Sequence, residues 1–230
     1  MTKFALRALP AALLILSASI ARSDDVPKNT LRVGEYWIFY HVYADNISGP
    51  FVPPGLNLTV KNVQTPYLAY LRRLSTHFVA ELAIGIPPLT KTYGKGPASV
   101  GSAPYNGQYI SSARWLAPTV LVEYVFFDDS HKLRPYIGVG LNYVNFSNRN
   151  SSPAGNAAAG GPTSISLSPS IGPAATVGVN YQITRNWSVM ASYSAARVET
   201  QLEAHTGGVV RTSNITFGPQ SLVVAAGFSF

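Results

Sequence analysis

The last ten positions of the chain limit its fold more than any other stretch. Leu222, Val224, Ala226, Phe228 and Phe230 fall on one side, while Ser221, Val223, Ala225, Gly227 and Ser229 fall on the other. Alternation with period two marks a strand with two chemically different faces. About ten residues is also the length at which a tilted strand crosses a bilayer. Seven further strands are predicted upstream, over 31–44, 60–71, 77–86, 109–127, 133–146, 169–183 and 187–202. The connections alternate in length. Those at 72–76, 128–132 and 184–186 are short, and those at 45–59, 87–108, 147–168 and 203–214 are long. Short turns at one end and long loops at the other are the pattern of an outer-membrane barrel. The expected fold is therefore all-β, an eight-stranded antiparallel up-and-down transmembrane β-barrel located in the cell outer membrane.

Composition narrows the alternatives. Only 12% of residues are charged, about half the usual share in soluble domains. No run of about twenty apolar residues follows the N-terminal region, which excludes a helical membrane protein. There is no cysteine, so disulfides and thiolate metal sites are excluded. Residues 1–21 have the form of a signal peptide, with Lys3 and Arg7 ahead of an apolar stretch and Ser19-Ile20-Ala21 as a small-x-small cleavage pattern. An uncleaved anchor helix is the alternative, although the apolar stretch is short for a span. The expected division is a signal peptide at 1–21 and a barrel at 22–230. Without the leader the chain holds 15 basic and 10 acidic residues. That spread-out excess does not point to nucleic acid.

Three carboxylates interrupt the strands, Glu35, Glu81 and Glu123. An unpaired carboxylate facing lipid is costly, so all three are expected to face the lumen, together with Arg114, Asn142 and Asn180. Arg72, Arg73, Arg134 and Arg185 are further candidate partners. Such groups either form a buried ion network that plugs the barrel and sets its register or line a permeation path. Glycines at 138, 140 and 178 are expected to make room inside a narrow barrel. The four histidines, at 41, 77, 131 and 205, are widely separated, and no Gly-x-Ser-x-Gly elbow occurs. No catalytic residue, metal site or cofactor is predicted. The Ala-, Gly- and Ser-rich stretch 147–168 is expected to be a mobile loop.

Pro118-Thr119 to Phe126, the run Arg134-Pro135-Tyr136-Ile137-Gly138-Val139-Gly140-Leu141-Asn142-Tyr143, then Gly178-Val179-Asn180-Tyr181, Arg185-Asn186-Trp187 and the closing Ala226-Gly227-Phe228-Ser229-Phe230 resemble the OmpW family of small outer-membrane barrels. The resemblance covers about residues 115–230 strongly. It implies a narrow, largely hydrophobic channel that passes small apolar molecules sideways or through the wall, with some members serving as receptors for phage or bacteriocins at the loops. By the same resemblance Leu56 and Leu58 are hydrophobic gate candidates. Phe228 and Phe230 form the C-terminal aromatic signal read by the barrel assembly machinery. The expected function is passive passage of small hydrophobic solutes, with outer-membrane lipids as surroundings. The alternatives are a structural, adhesion or receptor barrel with a plugged lumen, and a soluble secreted ligand-binding barrel whose apolar face points inward.

Overall fold

The computed structural model describes residues 26–230; the leader expected at 1–21 lies outside them. The chain forms β1 (Asn29–Ala44), β2 (Asn57–Val60), β3 (Val63–Arg73), β4 (Phe78–Ala83), β5 (Leu89–Lys95), β6 (Ser99–Val100), β7 (Ala103–Pro104) and β8 (Tyr109–Leu116). It continues with β9 (Thr119–Val125), β10 (Leu133–Ser151), helix α1 (Pro153–Ala159), β11 (Thr163–Leu167), β12 (Ser170–Gln182), β13 (Trp187–Ala196), β14 (Val198–Thr206) and β15 (Val209–Ser229). Eight of these pair antiparallel in a closed ring: β1 with β3, β3 with β4, β4 with β9, β9 with β10, β10 with β12, β12 with β13, β13 with β15, and β15 back to β1. The fold is the predicted eight-stranded barrel.

The alternation seen in the sequence decides which side each residue takes. Val120, Val122 and Tyr124 on β9, Ile137, Val139 and Leu141 on β10, and Leu222, Val224 and Phe228 on β15 all point outward and are exposed. A continuous apolar outer belt of this kind has no place on a water-soluble surface; its solvent is lipid. Glycines on the inner side make the room expected of them. A Cβ on Gly138 would lie 2.9 Å from Thr176 and 3.2 Å from Glu123, and one on Gly178 would lie 2.6 Å from the Tyr136 ring.

Above the belt the strands continue instead of dissolving into loops. β2, β5 and β8 pair with one another and with the upper part of β10, and β11 pairs with β14, which pairs with upper β15. Short breaks separate each upper strand from the lower strand that continues it, and prolines mark several of them, Pro87, Pro88, Pro118 and Pro169. Proline cannot donate to a ladder, so it ends or bends one.

All four expected long loops are corrected by this extension: 45–59 runs into β2, and 87–108 holds β5, β6 and β7. The 203–214 stretch is strand, closed by a two-residue Gly207–Gly208 turn with Gly207 at φ 58°, the conformation that tight hairpins need. The 147–168 stretch holds the end of β10, α1 and β11. Ser152 caps the helix by accepting a hydrogen bond from Gly155 N at 2.9 Å, and Gly160, at φ 86°, ends it. Its small residues serve close packing: a Cβ on Gly155 would strike the Ile110 carbonyl.

The wall carries two seams. The β3–β4 side ends with the bond from Ile86 N to the Pro66 carbonyl at 3.2 Å, and bonding resumes in the same register only at Lys61 N to the Lys91 carbonyl. Between them residues 62–65 lie opposite 87–90 with no backbone–backbone bond across, and one side-chain bond, from Thr65 Oγ1 to the Ile86 carbonyl at 2.7 Å, holds the lower end. A second seam opens above the Val144–Ser170 pair, where β10 keeps its β8 partner and β11 keeps only β14.

Candidate functional site

The lumen is built in storeys. Its floor, toward the short-turn end, is a buried ion cluster. Arg32 on β1 donates from Nη1 to Glu81 Oε2 on β4 at 2.8 Å, and Tyr67 on β3 donates from its hydroxyl to Glu81 Oε1 at 2.6 Å. The same Arg32 Nη1 lies 3.7 Å from Glu123 Oε1 on β9, and the guanidinium sits over the Tyr136 ring at 5.5 Å. Relative exposures of 5%, 4% and 1% for Arg32, Glu81 and Glu123 remove these groups from water. One guanidinium therefore serves two carboxyl groups. Neither Glu123 oxygen has a hydrogen bond, and Arg32 Nε has none either. Such a cluster lies inside the bore and ties together side chains from β1, β3, β4 and β9.

Above this floor lies a cavity of about 90 Å³, lined among others by Tyr36, Thr65, Ile86, Pro88, Asn142 and Ser221. Its roof is aromatic. The Trp115 ring lies 5.0 Å from Tyr40, 4.8 Å from Phe146 and 4.7 Å from Phe217, centroid to centroid. Leu58, Val60, Val198 and Ile215 complete this cluster. Beyond the roof a second cavity of about 110 Å³ is lined by Leu56, Leu58, Phe51, Tyr105, Ile110 and Leu202, among others. Below the floor a wider vestibule of about 440 Å³ is polar, with Arg73, Asp129, Arg134 and Asn180 in its wall. Asp129, in the turn between β9 and β10, accepts from Arg73 Nη1 at 2.9 Å and from Arg134 Nη1 at 2.6 Å. The Arg73 hydrogen bond holds its carboxyl below the usual range.

The structure brings some of the expected site residues together and separates others. Glu81 and Glu123 meet in the floor. Asn142 faces the cavity and donates to Thr119 Oγ1 at 2.7 Å, and Asn180 faces the vestibule. Leu58 is buried in the roof cluster and Leu56 lines the cavity above it. Phe228 packs outward against Trp187 at 5.0 Å, and Phe230 exchanges backbone hydrogen bonds with Asn29. Two placements are corrections. Arg114 lies outward, exposed, donating to the Pro87 carbonyl at 3.1 Å, because Ala113 and Trp115 take the inner positions of β8. Glu35 is also on the outer side, between Val33 and Trp37, because Arg32, Tyr36 and Ile38 take the inner positions of β1. Arg32 was missed as the partner of the carboxylates for the same reason. Period two counted from Arg32 would have found it, since Arg32, Tyr36, Ile38 and Tyr40 share one parity.

A closed antiparallel ring with an apolar outer belt, a charged floor and an aromatic upper lumen defines a small outer-membrane β-barrel. The model of the OmpW family matches residues 73–230, and the chain belongs to that family. Outer membrane protein W of Salmonella typhimurium is 34% identical over 121 residues, which cover 53% of this chain and 56% of that protein. The chain thus spans about half the length of the curated relatives it matches. Among solved structures, the outer membrane protein OprG from Pseudomonas aeruginosa superposes with a TM-score of 0.79 at 18% identity, over 89% of this chain and 96% of that one. The outer membrane protein AlkL in DMPC lipid bilayers gives 0.65 at 19%, over 91% and 94%. At these identities the likeness is one of fold, and it extends over the N-terminal strands that lie outside the family match.

Proposed function

We propose that the barrel passes small apolar solutes passively from the outer face into the hydrocarbon layer, leaving sideways through the wall and not through the bore. The observation that carries this reading is the meeting of a charged floor with a wall whose backbone ladder lapses. Arg32, Glu81 and Glu123 close the way down, while Thr65, Ile86 and Pro88 line the cavity above them and also border the seam at 62–65 and 87–90. A solute held between the aromatic roof and the charged floor meets its lowest barrier at that seam. Desolvating two carboxyls and a guanidinium is costly, whereas at the seam only the single hydrogen bond from Thr65 Oγ1 to the Ile86 carbonyl, 2.7 Å long, lies across the way out. The mechanism needs binding and diffusion and no covalent step.

A reversible lock tests this. The chain has no cysteine, so Gln64→Cys with Pro88→Cys introduces a single pair at opposed positions across the seam. In vesicles with a lipopolysaccharide outer leaflet, the oxidised variant is expected to deliver an apolar fluorescent probe at the protein-free rate and to recover on reduction. Undiminished delivery by the oxidised form would send the solute elsewhere. Restored delivery on removal of the floor charges alone would favour a path through the bore.

A further inference from the structure

The outer wall below the seam carries polar groups where lipid should meet only hydrocarbon. Glu35 lies on the outward side of β1, opposite Val224 on β15 and Pro66 on β3. It is four residues from Leu31 at the rim, which in a tilted strand is a height of roughly 10 Å within a belt about 25 Å tall. No hydrogen bond or ion pair reaches Glu35 among the described residues. The next outward position on β3 toward the seam is Gln64, exposed and also without a partner, and directly opposite Gln64 stands Trp37. A carboxyl group, a carboxamide and an indole N–H therefore cluster at membrane depth, on the lip of the wall opening that borders the cavity at Thr65 and Pro88. Polar groups held in hydrocarbon without partners are costly. In either protonation state a carboxyl group accepts hydrogen bonds, and Gln64 both donates and accepts.

We infer that Glu35 and Gln64 form a head-group site on the outer wall, which receives the hydroxyl of an aliphatic alcohol as its chain leaves the seam. A hydroxyl donates to Glu35 and accepts from the Gln64 amide or the Trp37 indole. A plain alkane satisfies none of them. The site thus makes the exit selective for chains that end in a small donor–acceptor group. The cavity behind the seam is matched to this, with the Tyr36, Thr65 and Ser221 hydroxyls set among apolar side chains.

This inference rests on sideways passage, and the experiment separates the two. Vesicles with a lipopolysaccharide outer leaflet are supplied with labelled dodecane or 1-dodecanol. Wild type is expected to deliver both above the protein-free control. Glu35→Leu, checked for folding by heat-modifiable gel mobility, is expected to lower dodecanol delivery about tenfold, the effect of one lost hydrogen bond, and to leave dodecane within about twofold. Glu35→Gln, which still accepts, is expected to keep most of the dodecanol rate. Equal loss of both probes in Glu35→Leu would place Glu35 in wall packing or in contacts between barrels and would overturn the head-group site. Unchanged delivery of both would overturn it as well. Docking has its own readout, independent of passage. In a Trp115→Phe, Trp187→Phe background, 2-bromododecan-1-ol, whose bromine sits beside the hydroxyl, is expected to quench Trp37 more than 2-bromododecane does, and Glu35→Leu to abolish the difference. If wild type delivers neither probe, sideways passage fails. The quenching difference then decides the head-group site alone, and equal quenching overturns it.

Discussion

The lower and upper storeys of the lumen have opposite chemistry. The lower one holds Arg32, Glu81 and Glu123 with Tyr67 and Tyr136 packed about them. The upper one holds Trp115, Phe146, Phe217 and aliphatic neighbours. Charged groups out of water must keep short, directional contacts, because each lost contact exposes an uncompensated charge. Their storey is therefore stiff, and under the proposed sideways route it is the one that bars the bore. Aromatic and aliphatic groups are held by many weak, nondirectional contacts, so they leave cavities above and below and can part without breaking a specific bond. Sealing and admitting a solute are thus assigned to different kinds of interaction within one bore.

The largest expected effect breaks the lower storey. Arg32→Met leaves two carboxyl groups facing each other without a cation and is expected to cost about 3–5 kcal/mol, measured by reversible urea unfolding in lipid vesicles. The triple variant Arg32→Met, Glu81→Leu, Glu123→Leu is expected to recover most of that loss, since apolar replacement of a whole buried ion cluster is often neutral or stabilising. A triple variant as unstable as the single one would show that the floor is held by shape and not by charge balance. The upper storey gives a smaller number and a different consequence. Trp115→Ala removes the ring common to three aromatic contacts and is expected to cost about 3 kcal/mol. It is also expected to raise apolar probe delivery, because the two cavities then join. Lower delivery would mean that Trp115 guides the solute.

The strand count, the sidedness of the loops and the outer belt were legible because lipid imposes period-two alternation on β9, β10, β12 and β15. β1 was legible as a strand but not in its parity. Tyr36 and Tyr40 point inward while Trp37, Phe39 and Tyr43 point outward, so both sides are aromatic and alternation carries no contrast. One wrong choice of parity moved Glu35 into the lumen and hid Arg32 from its two carboxylates. The upper strands were missed for a second reason. Above the membrane both sides of a strand meet water or neighbouring strands, so polar, Gly-rich stretches such as 203–214 lose the pattern while keeping the fold. The seam needed the pairing register itself: Pro87 and Pro88 mark a break, but only their opposition to 62–65 shows that the backbone ladder lapses there.

The turn at Asp129 offers a milder version of the floor's arrangement. Here one carboxylate serves two guanidiniums, Arg73 at the end of β3 and Arg134 at the start of β10. The clasp spans the end of β4, as the floor does deeper in the bore. Asp129 differs in exposure, with 41% of its side chain open to solvent, so water competes for every contact. Asp129→Asn is expected to cost about 0.2–1 kcal/mol near neutral pH, the range for exposed pairs. The hydrogen bonds from Arg73 lower the folded-state pKa of Asp129, so its contribution is present above the unfolded value and is lost as pH falls through the folded one. Urea midpoints of wild type and Asp129→Asn are therefore expected to converge as the pH drops below the ordinary carboxylate range of about 4. A gap that persisted there would assign the loss to turn geometry instead of charge. A gap as large as that of Arg32→Met would remove the distinction between a clasp in water and a plug out of it.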